Sequence, residues 1–443
     1  MKRIAWVVGC LVLSIGGCAT SPAPPASPAE GVAIQGLPLR WWEGFQDPAL
    51  DRLVTLALDN NLDLKSAIQR IREQRALRRQ SSSALFPILR GTGSAEASHN
   101  ASDGADQSYL YGVDLTWEID LFGRLRAQTR AAEANMQATA ADYQALRVSL
   151  VADVISTYLR YRLAREEETI AQQAADNQQQ TANITRIRFK GGTASGFDVE
   201  RLEAQVNITR ATIPAAREQA ESSRYGLAYL LNRDQTEIDS ILAQAVTPKQ
   251  PLMPDVTALM SLPATSLRNR PDVYATELRL QASTAELDAA KALRYPQLTL
   301  GALVGFEQGS GTPAWSISGQ VFQPLVNFGQ IRAAIEASNA RQQQAWLTYQ
   351  AALLQALREV RSALASYGQG MERQQLLALA THSAANARAL ARRQYEAGTV
   401  SLIEVLDAER VYFDARLDQV QATTDVLLKW TEIFRTLGLS PSA

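Results

Sequence analysis

Cysteine and histidine are almost missing: the 443 residues hold two of each. Cys10 lies in the apolar N-terminal stretch, so the chain beyond it keeps only Cys18, His99 and His382. No disulfide framework can be built from that set, and it argues against a zinc site. An excess of one charge is missing too. The 44 basic and 45 acidic residues leave a net charge of -1, which gives no reason to expect nucleic acid as a partner. Proline and glycine are absent from Arg124 to Phe189, and proline is absent from Ile331 to Tyr395. No nucleophile–base pair and no metal-ligand constellation stands out. The chain therefore reads as a non-enzyme without cofactor or metal.

What is present begins with a processing signal. Met1-Lys2-Arg3 is basic, and Ile4 to Ile15 is an apolar run of signal-peptide length, too short to span a bilayer as a helix. Ile15-Gly16-Gly17-Cys18 resembles a bacterial lipobox. That resemblance implies a signal peptide over 1–17, a lipidated Cys18 as first mature residue, and a lipoprotein tether over 18–38. The alternative is an ordinary cleaved signal with a chance cysteine. Ser, Pro and Ala dominate Thr20 to Ala29, as in a tether. Ala19 follows the cysteine, not the Asp that resembles an inner-membrane retention signal, so the resemblance favours the outer membrane. One lipid anchors only marginally, so stable residence needs a second membrane element.

The mature domain opens with Arg40-Trp41-Trp42-Glu43-Gly44-Phe45-Gln46-Asp47-Pro48. Asp47 before Pro48 predicts a helix start, and Leu50, Leu53, Val54, Leu56 and Ala57 give that helix an apolar face. A second helix is predicted from about Leu62 to Ala84, stopped by Phe86-Pro87. The period then switches to two. Tyr109, Tyr111, Val113, Leu115 and Trp117 alternate with Leu110, Gly112, Asp114, Thr116 and Glu118. An apolar and aromatic face opposite a mostly polar one, over about ten residues, is the pattern of a transmembrane β-strand. A weaker strand precedes it over 89–98, and His99 to Gln107 reads as a polar turn, with His99 a surface residue. Arg124 to Phe189 then predicts a helix on the order of 100 Å long. A second helix follows from about Phe197 to Leu231, with a kink expected at Pro214. Asn232 to Pro263 reads as irregular.

One stretch occurs twice. Phe189-Lys190-Gly191-Gly192-Thr193-Ala194-Ser195-Gly196-Phe197-Asp198-Val199-Glu200 is echoed by Tyr395-Glu396-Ala397-Gly398-Thr399-Val400-Ser401-Leu402-Ile403-Glu404-Val405-Leu406. Glycine after a helical run caps its C-terminus, and Ser or Thr before the next run caps an N-terminus, so each copy is the tip of a helical hairpin. As a phosphate loop, Lys190-Gly191-Gly192-Thr193 has the wrong order and spacing. The repetition extends further. Tyr295-Pro296 stands where Phe86-Pro87 stood, and Asn327-Phe328-Gly329 matches Leu121-Phe122-Gly123. Strands are predicted at 297–306 and 314–323, with Gln308 to Thr312 between them. The first repeat covers 39–263 with its tip at 190–197. The second covers 264–443 with its tip at 396–403 and a closing helix striped by Val420, Thr423, Leu427, Trp430, Phe434 and Leu437.

Four strands cannot close a membrane barrel, and lipid does not tolerate open strand edges. Several chains must therefore share one barrel, continued by the long helices. The expected fold class is an α+β membrane protein, internally duplicated, with four strands per chain. The residues Trp41-Trp42, Phe45 to Pro48, Phe86-Pro87, Phe122-Gly123, Phe328-Gly329 and Tyr395 through Ala408 resemble the outer-membrane factor family of TolC-like channels, its NodT-type efflux lipoproteins in particular. The resemblance spans essentially the whole mature chain. It implies a homotrimer whose barrel leads into a periplasmic α-helical barrel, docked to a periplasmic membrane-fusion adaptor and an inner-membrane RND-type pump. It also implies a periplasmic constriction at Ile403, Glu404 and Asp407, for which helix capping is the alternative at both acids. The tips Gly192, Thr193, Ser195, Gly398, Thr399 and Ser401 would contact the adaptor, or simply cap helices. Tyr109, Tyr111, Trp117 and Trp315 are candidates for an interfacial girdle in outer-membrane lipid. The expected function is a passive exit duct for multidrug efflux. A duct for type I protein secretion, or a periplasmic coiled-coil scaffold without a channel, is the alternative.

Overall fold

The computed structural model describes residues 40–100, 104–248, 264–308 and 313–439. The signal segment, Cys18 and the tether lie outside the described residues, as do 249–263. A 3-10 turn, Trp41–Phe45, leads into α1 (Pro48–Asn60) and α2 (Leu62–Ser83). Strands β1 (Ile88–Asn100) and β2 (Gly104–Ile119) follow, then α3 (Arg124–Lys190), α4 (Gly196–Leu231) and the short α5 (Gln235–Leu242). A second 3-10 turn, Ala264–Asn269, opens the next half: α6 (Pro271–Ala292), β3 (Gln297–Gln308), β4 (Pro313–Phe322), α7 (Gln330–Glu396) and α8 (Leu402–Leu437). The halves repeat with fixed offsets. α2 and α6 start at 62 and 271 and end at 83 and 292; α3 and α7 start at 124 and 330 and end at 190 and 396.

The four strands form one antiparallel sheet in the order β1-β2-β3-β4, with β1 and β4 at its edges. The polar stretch after Ser98 is not a loop. His99 pairs with Ala105 and Asn100 with Gly104, which contracts the turn to 101–103, outside the described residues. A ladder is made by backbone groups, so it continues past the point where the apolar alternation ends; β3 likewise continues through Gln308. Gly112 lies opposite Gly305. A Cβ on Gly112 would stand 2.5 Å from the Val304 carbonyl oxygen, so the two strands close here only on glycine.

The long helices, 67 residues each, are flanked in two stages. α2 and α6 run beside them toward the sheet, while α4 and α8 run beside them from the tips. The main core lies where these stages meet, at mid-length. There Leu150 to Leu159 of α3, Val360 to Tyr367 of α7, Leu227 and Leu231 of α4, and Val426 to Leu437 of α8 close around α1. Asn232 onward is not irregular throughout. α5 buries Ile238, Ile241 and Leu242 against this core, a face too short to register as a periodic stripe. α4 continues unbroken through Pro214.

The aromatic opening motif fastens the chain into the core. Trp41, Trp42 and Phe45 are each at most 2% exposed. Trp41 stacks on Phe434 at 4.9 Å, and Phe45 meets Trp430 edge-on at 5.0 Å. Asp47 caps α1 by accepting from the Ala49 amide at 3.0 Å, and its second oxygen accepts from the Tyr158 hydroxyl of α3. Burial, with that carboxylate beside it, holds the Tyr158 phenol well above its ordinary pKa.

Candidate functional site

Both hairpin tips are built alike from the residues upward. Gly192 and Gly398 take left-handed φ values of 76° and 75°, which a side chain resists. Each lets the chain reverse so that the next threonine reaches back. Thr193 donates to the Arg188 carbonyl through both N (2.9 Å) and Oγ1 (3.1 Å). Thr399 does the same to the Gln394 carbonyl at 2.9 and 3.0 Å. Those bonds satisfy carbonyls left open at a helix end. The outgoing helices start on capping boxes. Asp198 N donates to Ser195 Oγ at 3.1 Å, and Ser195 N donates to the Asp198 carboxylate at 3.2 Å. At the second tip, Ser401 N donates to Glu404 Oε2 at 2.6 Å and its hydroxyl donates to the same oxygen at 3.0 Å. These bonds, the backbone one first, hold the Glu404 carboxyl below the ordinary glutamate range. The six tip residues singled out in the sequence are thus the residues that make the turns.

The tips differ just beyond the turn. Ile403, Glu404 and Asp407 share one side of α8, within about 100° at 100° per residue. Ile403 is exposed, and Asp407 pairs with Arg410 at 2.9 Å in solvent. The same positions of α4 carry Phe197, Asp198 and Arg201. A cation therefore stands in the first copy where Asp407 stands in the second. The two tips touch through Arg188, whose guanidinium lies 4.4 Å from the centre of the Tyr395 ring.

Sequence reading missed a buried polar layer just inside the tips. Phe413 of α8 packs on Ile170 and Ala174 of α3. One turn nearer the tip on each helix are Glu409 and Gln178, both buried, each with a side-chain oxygen lacking a hydrogen-bond partner. Burial pushes the Glu409 carboxyl up, against the pull of Arg388 and Arg392 on α7. The available signal was a carboxylate at the centre of the stripe Val405, Glu409, Phe413.

At the sheet, Tyr109, Tyr111 and Trp315 are exposed on the outer face with Val113, Val304, Ile317 and Val321. Trp117 is half-buried, and its Nε1 donates to the Leu85 carbonyl at 3.0 Å. Tyr109 and Trp117 are eight residues apart on one face, about 26 Å along the strand, comparable to the apolar height of an outer-membrane barrel. Trp315 pairs with Val304, in the row of Val113 midway between them. The register thus sets it about four residues along the sheet from each of the two. Among the described residues no group of three or more His, Cys, Asp or Glu stands together as a metal site, and no helix is long and apolar enough to cross a membrane.

A sheet with one apolar face, two open edges and paired hairpins with 67-residue helices defines the class of channel proteins built from a shared β-barrel and a helical barrel. The comparisons agree. The family model described as outer membrane efflux protein matches residues 53–233 and 262–439. The chain belongs to this family and is an outer-membrane efflux protein. It is 28% identical to the pyoverdine export outer membrane protein OpmQ of Pseudomonas putida, over 97% of this chain and 96% of that one. It is 30% identical to the toluene efflux pump outer membrane protein TtgF, also of Pseudomonas putida, over 90% and 85%. Among solved structures, the outer-membrane channel OprN superposes with a TM-score of 0.86 at 31% identity, covering 94% of this chain and 96% of that one.

Proposed function

We propose that three copies of the chain share one barrel, four strands from each, and that the long hairpins continue it as a periplasmic duct. Small molecules delivered by an inner-membrane RND-type pump pass through it, with a periplasmic adaptor docked on the tips. The observation that carries this reading is the open-edged, one-sided sheet running straight into two 67-residue helices. Lipid requires the edges to be closed, and a scaffold without a channel has no use for an apolar-outside sheet. The exported compounds named for OpmQ and TtgF are small molecules, which favours efflux over protein secretion. Cys18 carries the lipid anchor. Ile403, Glu404 and Asp407 form the constriction, where a ring of Asp407 carboxylates repels anions and resists closure unless balanced by cations. Arg410 supplies that balance within each chain.

Accumulation of a fluorescent efflux substrate tests the proposal in cells from which the gene has been removed. Accumulation rises in its absence and returns to normal on complementation. Unchanged accumulation across substrates of every co-resident pump, together with lost export of a secreted protein, would shift the reading to type I secretion.

A further inference from the structure

The two repeats build one junction differently, where the start of α2 or α6 meets the end of α4 or α8. Laying the first repeat on the second carries Asn61 onto Arg270, Asp63 onto Asp272, Leu230 onto Thr436 and Asn232 onto Gly438. In the second repeat Arg270, 6% exposed, fills the junction. Its Nη1 donates to the Thr436 carbonyl at 2.7 Å. Its Nε and Nη2 fork onto the Asp272 carboxylate at 3.0 and 2.6 Å, and Nη2 also donates to Glu359 of α7 at 3.0 Å. The helix ends close tightly over it. A Cβ on Gly438 would stand 2.9 Å from Arg270 Cγ and 3.0 Å from Pro271 Cδ.

The first repeat keeps the acceptors of this arginine and has no cation in its place. Asp63 holds the position of Asp272, and Asp153 on α3 holds that of Glu359. The Leu230 carbonyl holds the position of the Thr436 carbonyl, and Asn61 Nδ2 donates to it at 2.9 Å. Asparagine thus reproduces one bond of the arginine and none of its charge. Asn232, at a φ of 48°, carries the Cβ that its counterpart excludes. The junction here opens into a cavity of about 480 Å³, in the size range of small-ligand sites. Asn61, Leu62, Asp63, Tyr229 and Arg233 are among its lining residues. Asp63 is exposed and pairs with no cation among the described residues. Arg233 faces Glu237 instead, at 3.7 Å. Tyr229, 75% exposed, brings an aromatic ring, a surface on which a planar cation stacks.

We infer that this cavity binds an alkylguanidinium group, the chemistry that Arg270 supplies to the second repeat from within the chain. The Asp63 carboxylate accepts the two parallel N–H bonds of the fork, as Asp272 does. Tyr229 takes the planar face and Leu62 the alkyl stem. An ammonium ion has the charge without the fork, so the site discriminates against it. The group arrives on a small solute or on an arginine side chain of another protein. The site lies at the middle of the hairpins, far along the chain from both the tips and the sheet, and owes nothing to the constriction.

The test uses the full chain in detergent, with propylguanidinium as the probe and saturation-transfer NMR of the probe as the readout. It binds with a Kd on the order of 1 mM, as an exposed carboxylate allows, and at least tenfold more tightly than propylammonium. Asp63→Asn weakens binding roughly tenfold. Asn61→Arg places a guanidinium in the cavity as the second repeat does, and binding is lost. Asn61 also caps α2 by accepting from the Leu64 amide at 3.0 Å, so circular dichroism checks the fold of that variant, and Asp63→Asn tests the site without touching the cap. The tripeptide Gly-Arg-Gly separates the two sources: affinity at least equal to that of propylguanidinium assigns the site to a protein-borne arginine, and exclusion of the peptide assigns it to a small solute. The inference is overturned if propylguanidinium shows no saturable binding, if propylammonium binds equally well, or if Asp63→Asn binds like its parent.

Discussion

Glu409 shares a stripe of α8 with Val405 and Phe413, both buried apolar residues. At 3% exposure with one carboxylate oxygen unpartnered, it is a cost to the fold rather than a support. Its carboxyl is raised by burial. The folded state therefore prefers the protonated form, and stability falls as pH rises through the ordinary glutamate range and on through the raised value. Glu409→Gln keeps the shape and removes the buried charge. It stabilises by about 1–3 kcal/mol at neutral pH, with the gain vanishing near pH 4. Thermal melts at the two pH values check this, and equal gains at both would show that charge is not the cause. Asp47 is the opposite kind of acid. Its capping role was legible in the sequence because Pro48 follows it. Its bond to Tyr158 was not, because the partner lies 111 positions away.

At the scale of the element, helices and tips were the most legible parts. The sixty-odd residues without proline in each run, ended by Gly-Thr-x-Ser, specified long helices and turns through local chemistry alone. The strand ends and α5 were not legible. Polar residues at a hairpin tip pair through their backbones, and an eight-residue helix shows too few turns to count. Glu404 is where local and functional readings meet, since one carboxylate both caps α8 and stands at the expected constriction. Its depressed pKa means that the cap's support is present above the ordinary glutamate pKa and is lost as pH falls through the lower folded value. Ser401→Ala removes the hydroxyl of the cap, leaving the amide's bond to Glu404, and costs about 1 kcal/mol of local helix stability. Hydrogen exchange, corrected for the intrinsic pH dependence, shows faster opening over the first turn of α8. In the parent chain that opening speeds up on acidification; in Glu404→Gln, which removes the titrating carboxylate itself, it no longer responds to pH. A pH response kept in the variant would detach Glu404 from the cap.

At the scale of the whole molecule, the sequence displayed the duplication, and the duplication displayed what one chain leaves unfinished. Its two repeats satisfy each other along α3–α6 and β2–β3 and expose the same faces on α7, α2, β4 and β1. Which side chains meet within the chain depended on packing at separations of more than 100 residues, as with Arg279 and Asp142. Such pairs follow from the fold, not from spacing. If the unfinished faces close around a conducting duct with a constriction at Asp407, the purified full-length chain conducts in a planar bilayer and Asp407→Ala changes how. The parent gives small, cation-preferring current steps. The variant gives larger steps with weaker ion preference. Silence from both proteins, inserted at densities confirmed by labelling, would contradict a conducting duct.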